Sequence, residues 1–160
     1  MLNINIVCVG KVKEKYLKDA IDEYVKRLSK YCNLKILEIP DERLPNKLYD
    51  SVILEIQKKE SKKLAEAIKM GSYVICLDLK GKEISSKEFS QKIEHISLKF
   101  NSTITFVIGG TLGMTEEILQ MANEKICFSQ MTFPHQLIRV FLLEQIFRAF
   151  KIAKHETYHW

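Results

Sequence analysis

Short runs of β-branched and other apolar residues alternate along the chain with segments whose apolar residues recur at helical spacing. The runs predict five strands, at residues 4–10, 34–40, 72–79, 102–110 and 125–129. Strands that alternate with helices are joined by right-handed crossovers, which bring the strands into parallel pairs. The pattern therefore predicts an α/β fold with a mostly parallel sheet of five to six strands flanked by helices.

Two long amphipathic helices are predicted in the first half of the chain. Their apolar residues recur at helical spacing over 16–28 and over 48–68, and Gly71 follows the second at a favourable stop position. The charged run at 58–63, Lys-Lys-Glu-Ser-Lys-Lys, is typical of a solvated helix face, with nucleic-acid contact as the alternative. The segment 41–47 contains Pro45 and several charges, so it predicts a loop.

Three short sequence signals in the second half of the chain predict a turn and the starts of two helices. The Lys-Gly-Lys tripeptide at 80–82 predicts a turn after the third strand. Ser85 and Glu88 have the spacing of a capping box, which predicts the start of a helix. Thr115 can cap a short helix that runs to Ala122.

The last predicted helix, from Pro134 to about His155, is unusually apolar. Proline suits the first position of a helix because its missing N–H needs no partner there. Between Gln136 and Ala153 only six residues are polar. An apolar surface this wide exceeds one core-facing stripe, so we expect the helix to be buried on more than one side. The simplest second cover is another copy of the chain, in a symmetric dimer.

Length, composition and charge narrow the class of protein. A chain of 160 residues with 46% hydrophobic and 28% charged residues suits one globular domain. The net charge of +5 permits an anionic partner such as RNA without requiring one. No apolar run approaches the roughly 20 residues of a membrane span. The N-terminus places its lysines after its apolar residues, the reverse of a signal peptide. We therefore expect a cytoplasmic protein with no membrane segment.

The cysteines give no indication of a metal or disulfide site. Cys8, Cys32, Cys76 and Cys127 lie far apart and show no paired spacing. Three of them lie in apolar strand-like runs, where a thiol behaves as a small hydrophobic group. We expect neither a bound metal nor a disulfide, which fits a reducing cytosol.

Candidate ligand-binding features follow three of the predicted strands. Asp78 followed by Gly81 ends the third, Gly109-Gly110 with Gly113 ends the fourth, and the polar break at 128–133 follows the fifth. Ligands bind outside the carboxyl ends of strands in open α/β sheets, and glycine lets backbone approach a ligand closely. Each feature could also be an ordinary turn, and neither a G-x-G-x-x-G nor a Walker pattern is present. Together they indicate loops whose backbone could bond an adenine edge.

Two side chains and the tail could take part in chemistry. His135 stands at a helix N-terminus, where the dipole disfavours a charged imidazole; a structural role is the alternative. Arg139, one turn further on, could reach a phosphate or a carboxylate, or form a salt bridge in a dimer. The tail His-Glu-Thr-Tyr-His-Trp at 155–160 combines hydrogen-bonding groups with aromatic planes suited to stacking on bases, or is a frayed end.

A set of motifs in a fixed order carries a resemblance to a known family. They are Val9-Gly10-Lys11, Leu77-Asp78-x-x-Gly81-Lys82, Phe106-Val107-Ile108-Gly109-Gly110, Ser129-x-Met131-Thr132-Phe133-Pro134-His135-Gln136 and the terminal Tyr158-His159. In this combination the chain resembles the RlmH family of SPOUT-class methyltransferases, over essentially its whole length. Members of that family act on a pseudouridine of 23S ribosomal RNA.

The resemblance implies a fold, a cofactor and an assembly. The fold would be a single SPOUT domain over 1–160 with a C-terminal trefoil knot, the knotted cofactor-binding region covering approximately 72–160. S-adenosylmethionine would lie bent in the knot, and the enzyme would be a homodimer. The implied cofactor-binding residues are Leu77, Gly109, Phe128, Ser129, Gln130, Met131, Thr132 and Phe133.

The implied reaction transfers the sulfonium methyl group to N3 of a pseudouridine in helix 69 of 23S rRNA, on assembled ribosomes. A sulfonium is already a strong electrophile, so the protein needs to supply positioning and removal of the N3 proton rather than a metal. Tyr158 and His159 are candidates for positioning the base or accepting that proton. Arg139 is a candidate for a phosphate or base contact, and His135 for ordering the loop.

Two further features bear on the RNA. Lys11, Lys13 and Lys15 follow the first strand and could bind rRNA phosphates, or serve solubility. Trp160 stands where the family tail usually has a basic residue, so stacking would replace a charge contact. The alternatives are a methyltransferase for another RNA such as tRNA, a non-catalytic dimeric ribosome-associated protein, and a Rossmann-type nucleotide enzyme.

Overall fold

The computed structural model describes residues 1–158. In this part of the chain five strands and five helices alternate: β1 (Leu2–Val9), α1 (Lys15–Leu28), β2 (Cys32–Ile39), α2 (Asp50–Ala67), β3 (Tyr73–Glu83), α3 (Ser86–Lys99), β4 (Thr103–Ile108), α4 (Glu116–Met121), β5 (Glu124–Cys127) and α5 (His135–Ala153). The strands form one sheet in the order β2-β1-β4-β3-β5, with every neighbouring pair parallel. The predicted α/β class is confirmed, with five strands.

Helices cover both faces of the sheet, with an apolar cluster under each layer. Successive residues of a strand point to opposite faces, so β1 contributes to both clusters. Ile4 and Ile6 pack under the layer of α1, α3 and α5, whereas Val7 packs under α2 and α4. All six residues of β4 are buried, as a central strand between two layers requires.

The third strand is longer than predicted, and the turn predicted at 80–82 is wrong. After an irregularity in the register, Lys82 and Glu83 pair with Ile126 and Cys127 of β5. Gly81 permits this extension, because a Cβ at that position would lie 2.6–2.8 Å from the backbone of Ile126. The backbone of β5 thus occupies the space that any other residue would need.

The ends of the helices follow most of the sequence signals. The capping box is confirmed: Ser85 Oγ accepts the N–H of Glu88 (3.1 Å), and Glu88 Oε2 accepts the N–H of Ser85 (2.7 Å). Thr115 is the N-cap residue of α4, although its side chain makes no capping hydrogen bond. The stop predicted at Gly71 is wrong, because the backbone leaves the helix at Ile68, whose side chain packs at the edge of the apolar cluster.

The burial of individual side chains bears on the predictions for the charged run at 58–63 and for the cysteines. The lysines at 58, 59 and 62 are exposed as a solvated helix face requires, but Glu60 and Ser61 between them are buried. All four cysteines are buried free thiols.

Helix α5 is covered by α1 and α3 of its own chain, so the predicted burial on several sides does not by itself require a second copy. Within the described residues, no helix is long and apolar enough to cross a membrane.

Candidate functional site

A cavity of about 780 Å³ lies at the carboxyl ends of β3, β4 and β5, which are neighbours in the sheet. Its wall consists of residues 77–79 of β3, where pairing with β4 ends, residues at and just after the ends of β4 and β5, and the first turn of α5. The lining residues are 77–79, 108–111, 113–114, 126–129, 131–135 and 138. Asp78, Gly109-Gly110 and most of the 128–133 loop therefore meet in one place, whereas Gly81 lies outside the wall.

Seven of the eight predicted cofactor-binding residues line this cavity. They are Leu77, Gly109, Phe128, Ser129, Met131, Thr132 and Phe133. The eighth, Gln130, is absent from the wall; its amide nitrogen instead lies 3.9 Å from the sulfur of Cys127. The side chain of Gln130 therefore packs back on the end of β5.

Local hydrogen bonds shape the loop after β5. The N–H of Met131 donates to Ser129 Oγ (3.0 Å), and the Cys127 thiol donates to the carbonyl of Ser129 (2.9 Å). Such a side-chain bond to the backbone two residues on is typical of a tight turn. Phe133 then packs edge to face against Phe141 of α5, with ring centroids 5.3 Å apart. The polar break in the apolar run is thus a structured turn that leads into the last helix.

His135 lies in the cavity wall, partly buried, at the start of α5. Burial lowers the pKa of its imidazole below the usual 6.5, and the nearby positive charge of Arg139 lowers the pKa further, while Asp41 opposes both effects. The ring also lies against Gly10, its Nε2 3.4 Å from where a Cβ on that glycine would be. His135 is therefore a neutral imidazole at neutral pH, placed between the cavity and the end of β1.

Arg139 is buried beside the cavity and does not line it. Its Nη2 donates to the carbonyls of Val9 (2.8 Å) and Gly10 (2.7 Å), and its Nη1 donates to Glu38 Oε2 (2.8 Å). Glu38 also accepts the backbone N–H of Val12 (3.0 Å). The guanidinium thus ties α5 to the ends of β1 and β2, and this geometry gives no support to its predicted contact with RNA or its salt bridge in a dimer.

Tyr158 lies away from the cavity, folded back on α5. Its hydroxyl donates to Glu144 (3.0 Å), which also accepts the hydroxyl of Tyr24 (2.5 Å). Its ring packs edge to face on Phe147 and beneath the guanidinium of Arg148. The structure does not bring Tyr158 to the other predicted site residues. His159 and Trp160 lie outside the described residues.

Several wall residues were not identified from the sequence. Ile138 lies one turn after His135, so its spacing on α5 could have indicated it. Met114 and Thr111 lie in the irregular segment between β4 and α4, where nothing in the sequence pattern indicates which side chains turn inward. Of these, Ile138 and Met114 add apolar surface to the wall and Thr111 adds a hydroxyl.

The fold and the cavity define an α/β protein with a ligand site at the carboxyl ends of adjacent parallel strands. Residues 2–159 match the sequence profile of the family described as "Predicted SPOUT methyltransferase". Relatives named "Ribosomal RNA large subunit methyltransferase H" include proteins of Clostridium botulinum (strain 657 / Type Ba4), 56% identical, and Clostridium acetobutylicum, 54% identical. In both cases the alignment spans 99% of each chain. The chain belongs to the RlmH family of SPOUT methyltransferases, as its motifs predicted.

A solved structure shares the fold at much lower sequence identity. It is the probable methylase family protein from Haemophilus influenzae Rd KW20, which is 12% identical with a TM-score of 0.54. The match covers 98% of this chain and 70% of that one. At this level of identity the likeness extends to the fold alone.

The cavity wall offers backbone groups, apolar surfaces, the hydroxyls of Thr111, Ser129 and Thr132, the carboxylate of Asp78 and the imidazole of His135. Among residues 1–158, no group of three or more histidine, cysteine, aspartate or glutamate side chains is arranged to hold a metal ion. Loop backbone near Gly109 and Ser129 can offer hydrogen bonds to a planar heterocycle, while Leu77 and Phe128 offer apolar cover. This combination suits binding and orientation of an organic cofactor.

Proposed function

We propose that the protein transfers a methyl group from S-adenosylmethionine to N3 of a pseudouridine in helix 69 of 23S rRNA, acting on assembled ribosomes. The observation that carries the proposal is the cavity at the ends of β3, β4 and β5, whose wall contains Leu77, Gly109 and most of the 128–133 loop. Family membership and the relatives' printed names support methylation of large-subunit rRNA. The choice of base and atom rests on the resemblance of the sequence motifs.

The cavity fits the proposed cofactor in size and chemistry. Its volume of about 780 Å³ falls within the roughly 300–1,000 Å³ of small-molecule sites. Leu77, Gly109 and the loop residues 128, 129 and 131–133 would hold S-adenosylmethionine. When bound, the sulfonium supplies an electrophilic methyl group. The protein's task is then to orient the donor and exclude water, which the apolar wall favours.

The target base must lose its N3 proton as the methyl group is transferred. Burial and the hydrogen bond to Glu144 raise the pKa of Tyr158, so its phenol is protonated at neutral pH. Tyr158 in this position is a hydrogen-bond donor rather than a base. Because Glu144 holds its hydroxyl away from the cavity, Tyr158 supports neither of its predicted roles in this arrangement, and His159 remains the candidate proton acceptor. His135, neutral and in the wall, would order the loop.

The RNA would approach the edge of the sheet on which the cavity opens. Lys11 and Lys13 are exposed in the segment between β1 and α1, at the same edge. The backbone N–H of Lys13 donates to Gln136 (3.3 Å), which fixes this segment next to the start of α5. Lys15 pairs with Asp19 on the surface. Lys11 and Lys13 would then contact phosphates while the base reaches the cavity.

A homodimer is part of the proposal. On α5, the apolar residues Leu137, Val140 and Phe141 are partly exposed, and Phe133 just before the helix is exposed. This apolar surface suits burial against a second copy about a two-fold axis. We further propose, from the motifs, that residues 72–160 form the trefoil knot of the family.

The test is transfer of labelled methyl from S-adenosylmethionine to ribosomes that lack the modification, with free 23S rRNA and tRNA in parallel. We expect label at N3 of one pseudouridine, in ribosomes only. Label in tRNA would favour the second enzyme hypothesis. Cofactor binding without transfer to any RNA would overturn the proposed substrate, and absence of cofactor binding would favour a non-catalytic ribosome-associated protein.

A further inference from the structure

One face of α2 holds the loop that forms the cavity wall after β4. Gln57, Glu60 and Ser61 have the i, i+3, i+4 spacing that places side chains on one side of a helix. The amide of Gln57 donates to the carbonyl of Leu112 (2.5 Å), and Ser61 Oγ accepts the N–H of Thr115 (3.1 Å). Glu60 lies between these contacts, against the double glycine. The loop is therefore held at its beginning, middle and end.

Glu60 packs closely against Gly110. A Cβ on Gly110 would lie 3.0 Å and 3.4 Å from the two carboxylate oxygens of Glu60, and 3.1 Å from Val9 Cγ1. Side chains do not normally pack this tightly, so the glycine backbone fills the space between β1 and the carboxylate. Gly110 also lines the cavity. The position of Glu60 thus sets the position of one wall of the site.

The same carboxylate holds a second loop. Glu60 Oε2 accepts the backbone N–H of Glu42 (3.0 Å), in the segment between β2 and α2. Lys63 pairs with Glu42 rather than with Glu60. Asp41, next to Glu42, lies near Gly10 and acts on the imidazole of His135. Glu60 therefore links the cavity wall at Gly110 to the loop of Asp41 and Glu42, and Asp41 in turn acts on His135.

Glu60 is a costly residue to keep at this position. It is 4% exposed, and burial, with the neighbouring charges of Asp41 and Glu42, raises the pKa of its carboxyl. A buried carboxylate without an opposing charge in direct contact is unfavourable for stability. The contribution of Glu60 is therefore to the positions of its neighbours rather than to stability.

We propose that Glu60 is a positioning residue for the cofactor site, which fixes Gly110 and couples that wall to the loop around Glu42. The proposal rests on the proposed function only in naming S-adenosylmethionine as the ligand. Glu60 acts through the backbone of its neighbours, without contact with the reacting atoms. Gln57 and Ser61 support the same loop on either side.

Binding of S-adenosylmethionine by calorimetry, well below the melting temperature, tests the proposal. Glu60→Ala should weaken binding about tenfold because the loop loses its buried anchor. Glu60→Gln keeps an acceptor for the Glu42 N–H and should restore affinity, with a melting temperature equal to or above that of the parent protein. Lys62→Ala, on the exposed side of α2, is the matched control. Unchanged affinity in a folded Glu60→Ala variant would overturn the proposal.

A ligand-independent measurement separates this inference from the proposed function. Hydrogen exchange of the 110–115 amides and of Glu42 should rise about tenfold in Glu60→Ala, and at Thr115 alone in Ser61→Ala. Exchange unchanged at 110–115 in Glu60→Ala would reject the positioning role. If loop exchange and cofactor affinity change as expected while ribosomes receive no methyl group, the inference stands and the substrate proposal fails.

Discussion

Arg139 and Glu38 form an ion pair, 2.8 Å between Nη1 and Oε2, at the junction of the last helix and the first two strands. The arginine side chain is 1% exposed and also binds the carbonyls of Val9 and Gly10. Its Nε is buried without a hydrogen-bond partner among the described residues. The geometry makes Arg139 a structural tie across the sheet edge that bears the cavity.

Removal of this tie should destabilise the protein. Arg139→Ala leaves two buried carbonyls unpaired and Glu38 without its partner, so we expect the free energy of unfolding to fall by about 3 kcal/mol. The free energy of unfolding of Arg139→Lys should lie between those of the parent protein and Arg139→Ala, since one ammonium cannot reproduce the hydrogen bonds of the planar guanidinium. Urea denaturation measures both. Lys15→Ala, which breaks an exposed pair with Asp19, should leave the midpoint nearly unchanged. Equal effects of Arg139→Ala and Lys15→Ala would contradict the structural role.

His135 should make stability depend on pH on the acid side. Its folded-state pKa is below the usual 6.5. The stabilisation is therefore fully present above 6.5 and is lost as the pH falls through the lowered value. His135→Gln cannot be protonated, so its melting temperature should fall less between about pH 7.5 and about pH 5. Exposed His95 on α3 provides the control: in His95→Gln the acid loss should match the parent protein.

Gly81 should be more sensitive to substitution than Gly71. Alanine at 81 would place a Cβ within 2.8 Å of the Ile126 backbone, whereas alanine at 71 would meet nothing within 4 Å, although φ there is +79°. Strain at positive φ costs about 1 kcal/mol, while a clash with backbone requires β3 and β5 to separate. We expect Gly81→Ala to lose more stability and more cofactor affinity than Gly71→Ala. Thermal unfolding measures the first loss and calorimetry the second. The reverse order would show that β3 and β5 do not pack tightly at this point.

Lys11 and Lys13 should contribute to the salt dependence of ribosome binding. Replacing one lysine that binds a phosphate lowers the slope of log affinity against log salt by about one. The Lys11→Ala/Lys13→Ala double variant should therefore show a slope smaller by about two at fixed magnesium concentration. Lys58→Ala/Lys62→Ala removes the same charge from the exposed face of α2 and should leave the slope unchanged. Equal slopes in the two double variants would assign the effect to net charge.

Much of the site was predictable because strand ends meet at one edge of a parallel sheet. The double glycine and the 128–133 loop both followed strand-like runs, so the fold class put them at one edge of the sheet, and the strand order β4-β3-β5 brought them together. Gln130 was expected beside its neighbours and does not line the cavity, because hydrogen bonds within the turn, such as Met131 to Ser129, decide which side chains face inward. Such bonds depend on geometry that spacing along the chain does not contain.

Other features depend on contacts between segments distant in sequence. The burial of Arg139 requires the carbonyl of Val9, 130 positions away. The continuation of β3 through Gly81 requires β5 alongside. Glu60 stands in a run of lysines that predicts solvent, and only the packing of α2 on the double glycine buries it. A run of charged residues predicts an exposed helix face correctly only where none of its members packs against another element.

The place of α5 in the chain has a consequence for biosynthesis. This helix packs between α1 and α3 over the sheet, and it supplies Arg139 and the first-turn residues of the cavity wall. It follows α1, α3 and all five strands in the chain, so the apolar surfaces that it covers have no partner until it has been synthesised. The sheet edge that bears the cavity is then completed only after α5 has docked. Before α5 is made, Ile4, Ile6 and Phe106 lack this part of their cover.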